Sequence, residues 1–472
     1  MFDLHLQALL AETGLALLVP GGDLPPQLLY LDPGTGSLLF SVIVGIASTA
    51  YFVAKDLLYR AGTRVRMLLS PRSGAALRAA QREEHPVVFY SEGRQYRSTF
   101  GPLLQQMQRR GLPCLYLSSD AEDPLLALGQ GGQYPQLRTE HIGHGHMAWA
   151  RLRTLRARVV CMTTPGLDVL QIRRSPHVRH YMHIVHSPTD KSFNRPYSFD
   201  FFDSVLINGP HQERVIRCLE ELRGRRRKEL FSEGCVYYDS LVPRYAAASE
   251  VAALAKGGAP QRVPRVLLAP TWGKNGLLTR YGSPLIRAIA EAGLELVIRP
   301  HPQSARSEAE LLARLQRECA ALPNCCWDFN ADPVEAMAMS DILVSDISGI
   351  VFDYAFLTGR PVLTMDFSVD KRGFEAMDLP FEPWELSSLE LIGRRIGLDD
   401  VPALPKIIRE ETTSPVRATQ IRLLRDTHVL NFGHASEAAV ERIAQLAGLD
   451  AQAQPLEAAP GAGLALATAL SA

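Results

Sequence analysis

Residues 345–366 read SDISGIVFDYAFLTGRPVLTMD and join two strand-like runs through a helix-length apolar segment. Ser345, Asp346 and Ser348 stand where the first strand ends and the helix begins. A helix start offers N–H groups without partners inside the helix, and Gly349 lets a ligand approach the backbone closely, so this point suits a phosphate. Serine and aspartate are also ordinary helix caps, so both roles stay open. The strand-helix-strand order predicts a parallel α/β sheet with ligand sites at the strand ends.

Three further residues are candidate contacts near this point. Asp353 is the single charged residue of the apolar segment 349–358. Burying a carboxylate without a partner is costly, so we expect a hydroxyl or a basic group to contact it. Arg299 interrupts the apolar run VIRPHP, and Thr271 follows a strand and a proline in LAPTWGKNG. Both stand at strand ends, and Thr271 has two interpretations, a contact to a nucleotide or a residue that only closes the loop.

The alternation of short apolar strands with helical windows occurs twice along the chain. The first half contains VVFYSEG, PCLYLSS, ARVVCMTT, HYMHIVHSP and DSVLINGP, and the second contains RVLLAPTWG, ELVIRPHP, NCCWDF, DILVSD and PVLTMD. Residues 246–264, rich in Ala, Gly and Pro, are typical of a linker, with a short helix before it as an option. The sequence therefore predicts an α/β protein with two Rossmann-like domains, over 85–250 and 262–445, that face each other across a cleft. Residues 451–472 are predicted to form a mobile tail.

The amino-terminal region contains a candidate membrane span. Residues 36–54 carry no charge, and their nineteen residues are close to the roughly 20 that a spanning helix needs. No Lys or Arg precedes Lys55, whereas Lys55 and five Arg residues occupy positions 55–78, which places the bulk of the chain in the cytoplasm. The predicted segments are an external part (1–35), one transmembrane helix (36–55) and a basic juxtamembrane part (56–84) suited to anionic headgroups. The alternatives are a buried core helix, a signal peptide or a second span over 4–19.

Charge and cysteine content narrow the function classes. Fifty Lys and Arg balance fifty Asp and Glu, so no global field attracts nucleic acid, and nucleic-acid binding is not expected. The seven cysteines are scattered without a CxxC pair, which disfavours a disulfide framework and a structural zinc. The histidine-rich run HIGHGHM (141–147) contains no Cys or acidic residue, and no metal and no cofactor are predicted.

Two histidines at strand ends are the candidate catalytic residues. His186 ends HYMHIVH before a turn-forming SPTD, and an imidazole pKa of about 6.5 suits proton abstraction near neutrality. Period-two alternation places His186 on the face of His180 and away from His183, which disfavours a shared metal site. His301 lies between two prolines that fix the backbone at the end of another strand. The competing interpretation is that the His301 ring only forms hydrogen bonds within its own turn and has no functional role.

Taken in order, HSPTDKS, APTWGKNG, RPHP and SDISGIVFDY resemble motifs of the CDP-glycerol glycerophosphotransferase family, over roughly residues 85–430. This family builds teichoic-acid-type polyol phosphate polymers. The resemblance implies a GT-B fold, with an acceptor domain followed by a nucleotide-donor domain. It also implies a membrane-associated transferase that moves glycerol phosphate, or a similar polyol phosphate, from CDP-glycerol to a hydroxyl acceptor and releases CMP.

The resemblance also implies roles for individual residues and for partners. By it, His186 is the base that acts on the acceptor, and His301 lies near the donor diphosphate. The predicted donor-binding residues are Arg299, Thr271, Ser345, Asp346, Ser348, Gly349 and Asp353. The implied partners are CDP-glycerol or a related nucleotide-activated donor, a polymer or lipid-linked hydroxyl acceptor, and the cell inner (cytoplasmic) membrane. The protein would cross that membrane once, with both domains in the cytoplasm.

Three positions differ from the family pattern and keep two alternatives open. Ser187 stands where the family has Gly, Gly349 where it has a second Ser, and Val185 where it has Trp. One alternative is a GT-B glycosyltransferase that uses a nucleotide-sugar donor. The other is an inactive membrane-bound scaffold that retains the fold and uses its cleft for binding.

Overall fold

The computed structural model describes residues 83–449, apart from 131, 133, 256–262, 331, 347 and 366–368. The strands are β1 His85–Ser91, β2 Cys114–Ser118, β3 Leu137–His141, β4 Ala157–Met162, β5 Val178–Ile184, β6 Ser204–Ile207, β7 Glu229–Ser232, β8 Arg265–Leu268, β9 Glu295–Ile298, β10 Cys325–Trp327, β11 Ile342–Ser345, β12 Val362–Met365 and β13 Gly393–Ile396. The α-helices are α1 Arg97–Arg109, α2 His146–Arg153, α3 Pro210–Leu222, α4 Tyr237–Ala255, α5 Leu277–Arg280, α6 Gly282–Ala290, α7 Ser304–Ser307, α8 Ala309–Glu318, α9 Val334–Met339, α10 Gly349–Thr358, α11 Trp384–Ser387, α12 Leu389–Ile392, α13 Leu404–Thr412, α14 Pro415–His428 and α15 Ala435–Ala447. Short 3-10 helices occupy Arg94–Tyr96, Pro124–Gly129, Glu375–Met377 and Leu398–Ala403.

The predicted external segment, membrane span and tail lie outside the described residues, as does most of the basic juxtamembrane segment. Within the part of the chain that is described, no helix combines the length and the apolar character needed to cross a bilayer.

The first sheet is parallel, with the strand order β3-β2-β1-β4-β5-β6-β7. Its central strands are buried along almost their whole length: Val87, Val88 and Phe89 of β1 and Val159 and Val160 of β4 are fully buried. Continuous apolar runs of this kind are typical of parallel strands that are covered on both faces. The strand order reverses between β1 and β4, and the crevice at such a switch point is where ligands bind in open α/β sheets.

The second sheet is also parallel, with the order β10-β9-β8-β11-β12-β13. Its order reverses between β8 and β11. Thr271 follows β8 and Asp346 follows β11, so the polar residues predicted from the sequence meet at this second switch point. The prediction of an α/β fold built on parallel sheets is confirmed.

Helix α4 extends into the region that the sequence favours as a linker. Residues 246–255 continue α4 as far as Ala255. They read AAASEVAALA, and because Ala, Glu and Leu are strong helix formers, intrinsic propensity outweighs the linker-like composition. The linker interpretation is therefore wrong for residues 246–255.

Helix α15 returns to the first sheet. Its apolar residues, Val440 among them, join the hydrophobic cluster formed by α1 and the central strands of that sheet. The carboxylate of Asp239 on α4 accepts hydrogen bonds from the N–H groups of Ala435 (2.9 Å) and Ser436 (2.7 Å) and so caps the start of α15. Residues 435–445 fall inside the range predicted for the second domain but pack on the first sheet. The sequence did not reveal this packing, because residue order does not show that a helix crosses back to the other sheet.

Candidate active site

The start of α10 faces open space at the switch point of the second sheet. Ser348 is the N-cap residue, in an extended conformation with φ −151° and ψ 164°, and its side chain makes no capping hydrogen bond. A Cβ placed on Gly349 would meet no atom within 4 Å. The first N–H groups of α10 are therefore accessible, and the positive end of the helix dipole favours an anion there.

Ser345 and Asp346 hold the loop after β8 against β11. The Ser345 hydroxyl donates to the carbonyl of Ala269 at 2.6 Å. The Asp346 carboxylate accepts from the backbone N–H groups of Thr271 at 2.9 Å and Leu277 at 3.2 Å. Burial raises the pKa of Asp346 to about 6. These contacts show that Ser345, Asp346 and the backbone of Thr271 shape the loop beside α10.

Arg299 is occupied by partners at the end of β10. Its side chain is buried, with Nη1 at 2.5 Å from the carboxylate of Asp328 and Nη2 donating to the carbonyl of Asn330 at 2.6 Å. Both partners follow β10, at the edge of the second sheet. The guanidinium predicted to bind the donor is therefore engaged in holding this edge in place.

His301 lies exposed beyond β9. Its Nδ1 accepts a hydrogen bond from the N–H of Gln303 at 3.1 Å, so the neutral ring carries its proton on Nε2. Partial burial lowers the pKa of His301, and the neutral form dominates near pH 7. Nε2 has no hydrogen-bond partner among the described residues, which leaves its N–H free to donate to a phosphate oxygen.

His186 lies two residues beyond the end of β5, in the loop that follows it. The ring of Tyr96 meets it edge to face, with the ring centroids 5.0 Å apart. Burial first, and then the positive charge of Lys191, lower the pKa of His186 to about 3. The imidazole is therefore neutral near pH 7, which is the state that a general base requires. Its Nδ1 is buried and has no partner within the described residues.

His183 is a core residue between two phenylalanines. It is 2% exposed, and its ring centroid lies 4.7 Å from that of Phe199 and 5.1 Å from that of Phe202. Burial is the main cause of its strongly lowered pKa, and an electrostatic interaction with His186 is the second. His183 packs on Phe199 and Phe202, whereas His186 packs on Tyr96, so the two rings have different neighbours. In the described ranges no group of three or more His, Cys, Asp or Glu side chains is placed to hold a metal ion.

The loop after β5 is bound to the second domain. Asp190 Oδ2 accepts from the N–H of Trp384 at 2.7 Å, at the start of α11. The carbonyl of Ser192 accepts from the N–H of Ala376 at 2.7 Å. These bonds fix the loop that carries His186 against residues that follow β12 of the second sheet.

Asp353 joins α10 to α4. Its carboxylate accepts hydrogen bonds from the hydroxyl groups of Tyr238 at 2.9 Å and Tyr237 at 3.5 Å. The prediction that Asp353 meets a hydroxyl is therefore confirmed. Burial raises its pKa to about 6, against the lowering effect of the tyrosine bonds and of Lys191. Asp353 thus fixes the orientation of α10, one turn behind its open start.

The sequence patterns do not single out two residues that the structure places beside these groups. Lys191 follows the SPTD turn and interacts electrostatically with His186 and Asp353. Glu385 is buried in α11 and interacts with Asp190 and Lys191. A lysine in a polar strand-end loop, five positions after a candidate base, was a usable signal for Lys191. The sequence carries no such signal for Glu385, because only the packing of distant parts of the chain brings Glu385 beside Asp190 and Lys191.

A cavity of about 500 Å³ opens at the switch point of the first sheet. Residues after β1, β4 and β5 line it, and Phe374 of the second domain completes it. The lining combines the aromatic rings of Trp149 and Phe193 with the charged side chain of Arg195. Thr164, also in the lining, has a buried Oγ1 without a partner in the described part of the chain. This cavity is large enough to hold a ligand beside the loop that follows β5.

Comparison with known proteins gives a family match over part of the chain. Residues 178–382, less than half of the 472-residue chain, match the model of the CDP-glycerol:poly(glycerophosphate) glycerophosphotransferase family. The resemblance drawn from the motifs is confirmed over this range, where the sequence matches a transferase family. The matched range contains both candidate histidines and the start of α10. No curated protein matches the sequence.

Solved structures share the fold at low sequence identity. A Listeria monocytogenes protein described as a UDP-N-acetylglucosamine 2-epimerase is 11% identical, with a TM-score of 0.51 over 77% of this chain and 96% of that chain. This likeness supports a GT-B-like arrangement of two α/β domains. The wall teichoic acid polymerase TagF is 16% identical, with a TM-score of 0.47 over 82% of this chain and 98% of that chain. The UDP-GlcNAc 2-epimerase of Methanocaldococcus jannaschii, in complex with UDP-GlcNAc and UDP, is 10% identical, with a TM-score of 0.49 over 76% and 99%.

Proposed function

We propose that this protein transfers glycerol phosphate, or a similar polyol phosphate, from a CDP-linked donor to a hydroxyl acceptor in cell-envelope polymer synthesis. The observation that carries the proposal is the family match, which spans the loop of His186, the end of β9 with His301 and the start of α10. These three features lie at carboxyl ends of parallel strands, where α/β enzymes bind their ligands.

The donor is bound by the second domain in this proposal. Its diphosphate lies at the start of α10, where the N–H groups and the open space before Gly349 accept an anion. The Nε2–H of His301 donates to a phosphate oxygen. The loop after β8, fixed by Asp346, borders the same site. Ser348, whose hydroxyl has no capping role, is free to donate to the diphosphate.

The reaction proceeds by attack of the acceptor hydroxyl on the β-phosphorus of the donor. His186 takes the proton of the hydroxyl while the new bond between the acceptor oxygen and phosphorus forms. The bond between the β-phosphorus and the oxygen that bridges to the CMP moiety breaks, and CMP leaves with that oxygen. Positioning and stabilisation of phosphate charge supply most of the rate enhancement in phosphoryl transfer. The cavity of the first sheet would hold the acceptor.

The nucleotide that is released tests this function. Purified full-length protein is incubated with CDP-glycerol and, separately, with nucleotide sugars, each with candidate hydroxyl acceptors. We expect CMP from CDP-glycerol. Release of a nucleoside diphosphate from a sugar donor would identify a glycosyltransferase instead. Binding without turnover of any donor would point to a scaffold.

Replacing Ser348 tests the diphosphate site. We expect Ser348→Ala to weaken CDP-glycerol binding by about 1.5–3 kcal/mol, the usual range for a hydrogen bond to a charged group. The melting temperature should not change, since the hydroxyl caps nothing. Ser414→Ala is the matched control, because Ser414 Oγ does cap α14 by accepting from the N–H of Arg417 at 3.4 Å. It should lower stability by about 0.5–2 kcal/mol and leave donor affinity unchanged. Calorimetric titration and thermal melting of both variants separate the two roles.

We propose further that residues 36–55 anchor the protein once in the cytoplasmic membrane, with both domains inside. The uncharged run and the absence of Lys and Arg before Lys55 support this orientation. Such an anchor would keep the site beside a lipid-linked acceptor and within reach of a cytosolic nucleotide donor.

Reporter fusions test this topology. A reporter attached after Ala472 should be active only as a cytoplasmic reporter, and one placed before Gly36 only as an external one. The reverse pattern would overturn the orientation, and an unanchored protein in the soluble fraction would overturn the span.

A further inference from the structure

Lys191 presents a half-buried ammonium group that is only partly satisfied. It adopts a φ of +66°, a left-handed conformation that lysine rarely takes, in the turn after β5. Its Nζ donates one hydrogen bond, to the hydroxyl of Ser187 at 2.5 Å. No carboxylate oxygen of the described residues lies within 4.0 Å of this Nζ, the limiting distance for an ion pair. Two of the three N–H donors of the ammonium therefore have no partner within the described chain.

The acids around Lys191 are engaged elsewhere. Asp190 is bound to the N–H and hydroxyl of Ser192 and to the N–H of Trp384. Asp353 accepts from the two tyrosine hydroxyls of α4. Glu385 is buried, which raises its pKa to about 8 and keeps it protonated at neutral pH. A cation with unused donors among neutral or occupied acids is costly unless a ligand pairs with it.

Lys191 also lies in the loop that carries the proposed base, and its Nζ bonds to Ser187, the residue after His186. Its charge lowers the pKa of His186, the base proposed for the acceptor. It also interacts with Asp353, which lies one turn behind the open start of α10. Arg299, the cation that the sequence favours for the donor, already bonds to Asp328 and Asn330. The residue before Lys191, Asp190, accepts from the N–H of Trp384, whose ring stacks on Phe352 of α10 at 5.0 Å, so the loop of Lys191 is connected to the helix of the proposed diphosphate site.

We infer that Lys191 binds the phosphoryl group that is transferred, with its two free N–H donors on non-bridging oxygens of the β-phosphate. This inference rests on the proposed function. The acceptor domain would then contribute a cation to a donor that is otherwise bound by the second domain. In this step the bond between the acceptor oxygen and the β-phosphorus forms, the bond to CMP breaks, and the proton goes to His186. Its charge offsets the negative charge of the phosphoryl oxygens as the acceptor attacks.

The test compares ligands with and without the β-phosphate. Lys191→Gln should weaken CDP-glycerol binding by roughly 10- to 100-fold, as for a lost hydrogen bond to a charged group, and lower kcat/KM at least as much. Affinity for CMP, which lacks the β-phosphate, should stay within about twofold. Lys191→Arg keeps the charge and should recover part of the loss, although its geometry differs. Lys406→Gln, at an exposed lysine of α13, is the control and should match the wild type.

Each outcome is decisive for Lys191. Equal losses of CDP-glycerol and CMP affinity, or a lowered melting temperature with unchanged ligand preference, would make Lys191 a structural residue and overturn the inference. Unchanged kcat/KM in Lys191→Gln would overturn it as well. If the wild type neither binds nor turns over CDP-glycerol, the proposed function fails. Titration with inorganic pyrophosphate then tests Lys191 alone: the inference requires weaker binding in Lys191→Gln than in Lys406→Gln, and equal binding refutes it.

Discussion

His186→Ala is expected to lower kcat for transfer from CDP-glycerol by about 10²- to 10⁴-fold, the usual contribution of a positioned general base. The imidazole lies in the loop after β5, neutral at pH 7 and braced by the edge of the Tyr96 ring. CDP-glycerol affinity should stay near the wild-type value, because the proposed donor site lies on the second domain. Steady-state release of CMP gives kcat, and calorimetric titration gives the affinity.

The control for this variant has to be an exposed histidine. His183 does not qualify, because it is 2% exposed between Phe199 and Phe202, and its removal would leave a cavity. His177 is exposed and lies just before β5, so His177→Ala should retain full turnover. Full turnover in His186→Ala as well would show that another group, or the substrate itself, takes the proton.

The fold and the open start of α10 after β11 could be predicted because they depend on local patterns. Apolar runs that end in small polar residues mark parallel strands and their carboxyl ends, and the run from Ser345 to Gly349 is such a pattern. Asp353 in an apolar helix required a hydrogen-bond partner wherever the helix packed, and Tyr238 supplies it. Neither inference required knowledge of distant contacts.

The contacts that complete the site depend on residues far apart in the chain. Asp190 and Trp384 are separated by 194 positions, and only domain packing pairs them. Arg299 looks like a donor contact until Asp328 is seen to occupy it. Side-chain partners are therefore the part of this site that sequence patterns do not determine.

Arg223→Ala is expected to lower the free energy of unfolding by about 3–5 kcal/mol, the cost of leaving buried charges without their partner. Arg223 ends α3, and its side chain is only 9% exposed. Its guanidinium pairs with Asp200 at 3.1 Å, with Asp378 at 2.8 Å and with the buried Glu375. Asp200 belongs to the first domain and the other two follow β12, so this cluster ties the domains together. Denaturant unfolding followed by circular dichroism measures the loss.

Two further variants separate the charge effect from packing. Arg372→Ala removes an exposed arginine that pairs with Asp370 within the same part of the chain, and its unfolding midpoint should match the wild type. In the double variant Arg223→Ala/Glu375→Gln, a neutral amide replaces one of the carboxylates that have lost their partner. Part of the lost free energy of unfolding should therefore be recovered. If the double variant is no more stable than Arg223→Ala, uncompensated charge is not the cause. The contact of the guanidinium with the Tyr197 ring, 4.5 Å from its centroid, would then account for the loss.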